Sequence, residues 1–211
     1  MTDTDPDSDT GSTVTADLWV DPACPWAWLT SRWLTEVQQV RPVAVRWHVM
    51  SLGVIYEAEE IPPQWQEANR RSWAAVRLLT AAQAAGGEGV VEPLYTAIAR
   101  RIHVDGRVGD DGLLAEAVAE VGLDPALLGH VHDDTHDAAL RADHGRAVTL
   151  VGDDVGTPVL AIDGRGIFGP VVSPAPVGEA AGQVWDAVQT LLGVGGFFEL
   201  KRTRDQPPAV A

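Results

Sequence analysis

The 211 residues contain a single cysteine, Cys24, in the tetrapeptide Cys24-Pro25-Trp26-Ala27. A deprotonated thiol is a strong nucleophile at neutral pH, and it also opens disulfides. The preceding run, 15–20, is apolar and partly β-branched, whereas Trp26, Leu29, Trp33, Val37 and Val40 recur at spacings of three and four. The sulfur therefore sits between a strand and a helix N-terminus. Unpaired N–H groups and the helix dipole there are expected to lower its pKa and hold a thiolate. In a Cys-x-x-Cys pair the first thiol attacks and the second resolves the mixed disulfide. Here the resolving position is Ala27, so the nucleophile has no internal partner. The bland alternative is that a lone cysteine serves as a small buried hydrophobe.

Other residues bear on this chemistry less directly. Trp26 lies inside the turn, next to Trp28, and with Tyr56 and Trp65 from the following segment it could line a flat apolar pocket suited to an aromatic molecule. The competing reading of the eight tryptophans is ordinary core packing. His103 and His48 are candidate proton donors to a leaving thiolate, although nothing in their spacing brings either to Cys24. His130, His132, His136 and His144 stand near Asp133 and Asp134, yet their spacing matches no specific zinc site, so a polar helix face is expected and no metal. Gly193-Val194-Gly195-Gly196 reads as a hinge, since no helix with a Lys follows in the phosphate-loop pattern.

The elements that must position these groups follow from periodicity. Residues 1–13 carry aspartates at alternating positions and no large apolar side chain, which suits a disordered tail. Strand 14–20, helix 25–40 and the alternating run Val43, Val45, Trp47, Val49 form a strand–helix–strand crossover. Helical periodicity then occupies 65–85, 92–102, 111–121 and 127–150. Gly156-Thr157-Pro158 precedes a strand at 159–162, Asp163-Gly164 makes a tight hairpin turn, 166–169 returns as a strand, and 177–191 forms a closing helix. This order predicts an α/β thioredoxin-like fold, βαβ then ββα, interrupted by an all-helical insertion in the manner of DsbA. The expected boundaries are 14–50 with 152–211 for the thioredoxin-like domain and 51–151 for the insertion. In that pattern Pro158 is a cis proline across from the nucleophile, and the backbone of Thr157 pairs with a bound thiol substrate.

Composition narrows the function further. A net charge of −15 opposes the phosphate contacts on which nucleic-acid binding depends, and anionic membranes are disfavoured for the same reason. No apolar run is long enough to span a bilayer and no signal peptide is evident, so a soluble cytoplasmic protein is expected. One cysteine excludes an intrachain disulfide. The segment 193–198 is open to packing on its own domain or on a second subunit as a homodimer.

The segments DPACPWAW, SRWLTEV, HVMSLGV, PLYTAI followed by RIH, GDDVGTPVL and FFELKRTR together resemble the mycothiol-dependent nitroreductase family of actinobacteria, a branch of the DsbA-like thioredoxin superfamily. The resemblance spans residues 16 to about 208. It implies a thiol oxidoreductase that takes electrons from mycothiol and reduces nitroaromatic or quinone-like small molecules. Cys24 matches the attacking cysteine, Trp26 the motif tryptophan and Pro158 the cis proline. The family's usual motif ends in a second cysteine, so Ala27 replaces a two-thiol cycle with monothiol chemistry in which a second mycothiol performs the release. Two further readings stay open: a thiol-dependent transferase or isomerase of the kappa-class glutathione transferase type, and a non-catalytic binding protein. A flavin or deazaflavin is also left open, although no dinucleotide fingerprint is present.

Overall fold

The structure, a computed structural model, describes residues 13–57 and 60–210. Apart from Thr13, the expected disordered tail lies outside the described residues. Strand β1 (Val14–Val20) is followed by helix α1 (Pro25–Val40) and strand β2 (Val43–Val49), which pairs parallel with β1 from Val14↔Val43 to Val20↔Val49. Strands β3 (Val159–Ile162) and β4 (Arg165–Phe168) complete a four-stranded sheet of order β2-β1-β3-β4, both added antiparallel. This is the thioredoxin-like arrangement expected from the order of elements. Asp163 (φ 51°) and Gly164 (φ 74°) both adopt positive φ, as a tight turn whose twist matches its flanking strands requires.

The sheet separates two apolar layers. Ala16, Leu18, Val20, Leu160 and Ile162 face α1 and the closing helix α7 (Gly178–Gly193). Trp19, Val159 and Ala161 face the opposite way, onto helix α6 (Asp137–Val151). Helices α1 and α7 are joined by Trp33 and Trp185, whose rings lie 6.3 Å apart, and Trp33 Nε1 donates to the Ala181 carbonyl at 3.0 Å. The residue Arg41 is followed by Pro42, which disfavours helical backbone at Arg41, and α1 ends there in extended conformation.

Between β2 and β3 lie only helices. A single turn, α2 (Leu52–Ile55), leads to α3 (Pro63–Gly86), α4 (Val91–His103), α5 (Leu113–Val121), a 3-10 segment Pro125–His132, and α6. Two features differ from expectation. The short α2 has no apolar period long enough to register, and it is started by Ser51, whose hydroxyl accepts from the Val54 N–H at 3.2 Å. The continuous helix expected over 127–150 is broken after His132. There Asp133 takes extended backbone and its carboxylate accepts from the Thr135 N–H at 3.0 Å, a local bond that competes with helix continuation.

The insertion is tied to the sheet by polar as well as apolar contacts. Arg77 of α3 makes two parallel bonds, both 2.8 Å, to the Asp137 carboxylate at the start of α6. The buried Asp143 of α6 accepts from Trp19 Nε1 at 3.0 Å and from the Val49 N–H at 3.1 Å, which docks α6 on β1 and β2. His48 is also used here, its Nε2 2.7 Å from Asp17 and its ring stacked 4.5 Å from Trp19. It belongs to the sheet surface and not to the cysteine site. Among the described residues, no helix is long and apolar enough to cross a membrane.

Candidate active site

The loop that carries the sulfur is held from both ends. Asp21, at the close of β1, is fully buried; one carboxylate oxygen accepts from the Ala23 N–H at 2.8 Å, the other from the Leu52 N–H at 2.8 Å and the Ser72 hydroxyl at 3.0 Å. It thereby ties the Pro22-Ala23 turn to α2 and α3. Cys24 follows as the N-cap of α1 in extended conformation, and Pro25 occupies the first helical position, where a missing N–H costs nothing.

Cys24 is 5% exposed. Its thiol donates to the Thr157 carbonyl at 3.2 Å, and its sulfur accepts from the Ala27 N–H at 3.4 Å. The Thr157–Pro158 peptide is cis, and Pro158 directly follows the carbonyl that the thiol meets. Thr157 is itself fixed by its hydroxyl, which donates to the Trp19 carbonyl at 3.2 Å. Ala27 is fully buried behind the sulfur.

The expected thiolate is not what this surrounding gives. Burial pushes the Cys24 thiol up to about 11, the Asp21 charge adds to the rise, and the N–H groups of Ala27 and Trp26 together with the Arg204 charge oppose it. Desolvation outweighs the helix terminus because the site is closed over. At neutral pH the resting sulfur is therefore a thiol that donates its proton in a hydrogen bond to the Thr157 carbonyl.

The C-terminal segment lies beside this loop. Trp28, 5% exposed, donates from Nε1 to the Val210 carbonyl at 3.2 Å. The Arg204 guanidinium lies 5.3 Å from the centre of the Trp26 ring, and the Ala209 N–H donates to the Ser173 hydroxyl at 2.9 Å. Trp28 is further flanked by Arg32 at 4.5 Å and by the His103 ring at 6.5 Å. His103 ends α4 and donates from Nε2 to the Pro22 carbonyl at 2.9 Å; burial lowers its pKa, which keeps the ring neutral.

Of the residues singled out from sequence, Cys24, Pro25, Trp26, Ala27, Trp28, Thr157, Pro158 and His103 converge on this site. Tyr56 does not join them: it is the C-cap of α2, 43% exposed, and no ring contact links it to Trp26. Trp65 lies in the first turns of α3, and its side chain is outside the described residues. Two surface depressions, of 260 and 360 Å³, lie along α6 and the far side of the sheet, away from Trp26. Asp21, Arg32, Arg204 and Val210 were not singled out from sequence. An acidic residue directly after a buried strand was a usable signal for Asp21; Arg32 and Arg204 lie in the segments SRWLTEV and FFELKRTR that carry the family resemblance, whereas nothing local marks Val210. Among the described residues no group of three or more His, Cys, Asp or Glu side chains could hold a metal. The His130 and His136 rings meet edge to face at 4.8 Å, and His130 pairs with Asp133 at 3.2 Å.

Comparison with known proteins decides the family. The Rv2466c-like family, described as mycothiol-dependent nitroreductase Rv2466c, matches residues 23–202, which include the whole cysteine motif and the Thr157–Pro158 strand. The chain belongs to the Rv2466c-like family. The protein Rv2286c of Mycobacterium tuberculosis is 31% identical over 193 residues, covering 90% of this chain and 82% of the relative. Among solved structures, a probable DsbA oxidoreductase, SCO1869 from Streptomyces coelicolor, superposes with a TM-score of 0.56 at 20% identity, covering 91% of this chain and 94% of that one. A 2-hydroxychromene-2-carboxylate isomerase superposes with a TM-score of 0.57 at 13% identity, covering 85% and 94%. These likenesses establish a DsbA-like thioredoxin fold, the same frame serving a redox protein and an isomerase.

Proposed function

We propose that this protein is a monothiol, mycothiol-dependent oxidoreductase in which Cys24 is the nucleophile. The observation that supports this most is the 3.2 Å contact between the thiol of Cys24, the single cysteine and the N-cap of α1, and the Thr157 carbonyl, part of the backbone expected to bind a thiol substrate. Once deprotonated, Cys24 attacks the mycothiol sulfur of a mixed disulfide; the Cys24–mycothiol bond forms as the old S–S bond breaks, and the other thiolate leaves with the electron pair. Reduced mycothiol then attacks the adduct, releasing mycothiol disulfide and regenerating Cys24. The net change is a thiol–disulfide exchange: the substrate group is released as its thiol, and the incoming reduced mycothiol, which supplies the electron pair, ends in mycothiol disulfide with the mycothiol already present in the mixed disulfide. The N–H groups at the start of α1 stabilise the leaving sulfur, and Ala27, fully buried, offers no internal route of release. Small aromatic acceptors, nitroaromatic or quinone-like, are the substrates that family membership suggests, with Trp26, in the cysteine turn, as the apolar wall.

The raised thiol pKa favours a second reading. A Cys24 held as a neutral thiol is a hydrogen-bond donor, and in a transferase or isomerase it would hold a mycothiol thiolate that itself acts as nucleophile. Intact mass after incubation with mycothiol disulfide separates the two. One mycothiol added to the protein, absent in Cys24→Ser and removed by reduced mycothiol, is the expected result. No adduct, with Cys24 still open to a small alkylating agent, overturns the monothiol cycle. Activity retained in Cys24→Ser, whose hydroxyl can still donate, would establish the second reading.

A further inference from the structure

The C-terminal segment runs along the start of α1. Arg204 lies over Trp26, Ala209 is bonded to Ser173 in the loop after β4, and Val210 is bonded to Trp28. It thus meets the side chains two and four residues after Cys24. Val210 also packs onto the main apolar core, which anchors the end of the segment.

Arginines in this acidic chain are mostly claimed by carboxylates: Arg41 by Glu179 and Asp186, Arg77 by Asp137, Arg107 by Asp110 and Glu116, Arg141 by Glu57. Arg204 pairs with no carboxylate among the described residues and rests on an aromatic face beside the buried sulfur. The charged and titratable groups around that sulfur are few. Asp21, on the same loop, opposes ionisation; Tyr95 and His103 come from α4, the first raised far by burial and so neutral, the second lowered by burial and so neutral. Arg32, further along α1, is turned to Thr96, its Nη2 donating at 3.0 Å. The partner strand contributes only the Thr157 carbonyl. Arg204 is the cation left to act on the sulfur, and its charge does lower the thiol pKa.

We propose that Arg204 is a positioning residue for the Cys24 chemistry, delivered by the C-terminal segment to supply the positive charge that a buried thiolate needs, and that it makes the site prefer electrophiles carrying a negative group over neutral ones. This rests on Cys24 being the nucleophile. It assigns the tail a role in the reaction beyond covering the cleft, and it accounts for a cation left without a carboxylate in a chain of net charge −15. With no second cysteine to stabilise the thiolate, the charge has to come from elsewhere in the chain.

The test is the rate of Cys24 alkylation from pH 7 to pH 11 by neutral iodoacetamide and anionic iodoacetate, in the full-length protein, R204Q and R204K, with C24S as the blank. Circular dichroism verifies that each variant is folded. In R204Q the iodoacetamide rate is expected to fall several-fold at each pH below the midpoint, and the iodoacetate-to-iodoacetamide rate ratio is expected to fall several-fold. R204K is expected to restore most of both. An unchanged iodoacetamide rate and an unchanged ratio in R204Q would overturn the assignment, as would faster alkylation, which would make the segment a cover and nothing more. If the unaltered protein reacts no faster than C24S at any pH, Cys24 is not the nucleophile and the reading beneath the proposal fails, an outcome distinct from an intact Cys24 reaction that is indifferent to Arg204.

Discussion

Replacing Asp21 by Asn probes the group on which both the loop and the sulfur depend. Burial lifts the Asp21 carboxyl from its ordinary 3.8 to about 6, even though the Leu52 N–H, the Ala23 N–H and the Ser72 hydroxyl all donate to it. The folded protein therefore keeps the proton longer than the unfolded chain does. Its contribution to stability is complete below about pH 4, falls as pH rises through 4 to 6, and is absent at pH 7. Two units correspond to about 3 kcal/mol, taken without a screening discount because the group is wholly buried. Asparagine cannot ionise, so it escapes this loss. Its NH2 must face one of the backbone donors, Ala23 or Leu52, which costs about 1–2 kcal/mol at every pH. Asp21→Asn is thus expected to be less stable than the unaltered protein at pH 4 and as stable or more stable at pH 7.5, a relative swing of about 3 kcal/mol. Urea unfolding followed by tryptophan fluorescence at intervals between pH 4 and pH 8 measures it. A stability difference that stays constant over that range would refute the reasoning, because Asp21 would then titrate alike in both states. Removing the Asp21 charge is also expected to lower the midpoint of Cys24 alkylation, since that charge raises the thiol pKa.

Three further outcomes follow from the geometry. Ala27→Cys puts a second thiol beside the sulfur that the Ala27 N–H now contacts at 3.4 Å, and the mycothiol adduct is then expected to decay without added mycothiol, leaving an intrachain disulfide two mass units lighter than the dithiol, within about 0.5 Da by intact mass. Trp185→Ala removes a side chain that is 1% exposed and locks α7 to α1, so a loss of about 3–5 kcal/mol is expected in urea unfolding. Asp137→Ala frees Arg77, whose side chain is 21% exposed, from its two 2.8 Å bonds, and a loss of about 1–2 kcal/mol is expected, with the α3–α6 contact showing faster amide exchange.

What the amino-acid order determined on its own is local. Helix α1 was legible because its apolar residues recur at spacings of three and four and because Pro25 and Pro42 bound it, and the β3–β4 turn because Asp163-Gly164 suits positive φ. Both signals act within a few residues, and strand, helix and turn in that succession admit few topologies. The helix expected over 127–150 failed for the same reason: a side-chain bond from Asp133 two residues on defeated a periodicity that looked continuous. The meeting of Cys24 with Thr157 was readable only by matching a fold pattern, since 133 residues separate them. The state of the sulfur was not readable at all. Whether a helix-terminal thiol ionises depends on how much water reaches it, and that is set by side chains from distant elements: Asp21 closed under α2 and α3, His103 from α4, and a C-terminal segment whose Val210 meets Trp28 across 182 residues. Desolvation belongs to the assembled site, so no residue type or spacing along the chain can announce it, and tertiary packing alone turned the expected thiolate into a buried thiol.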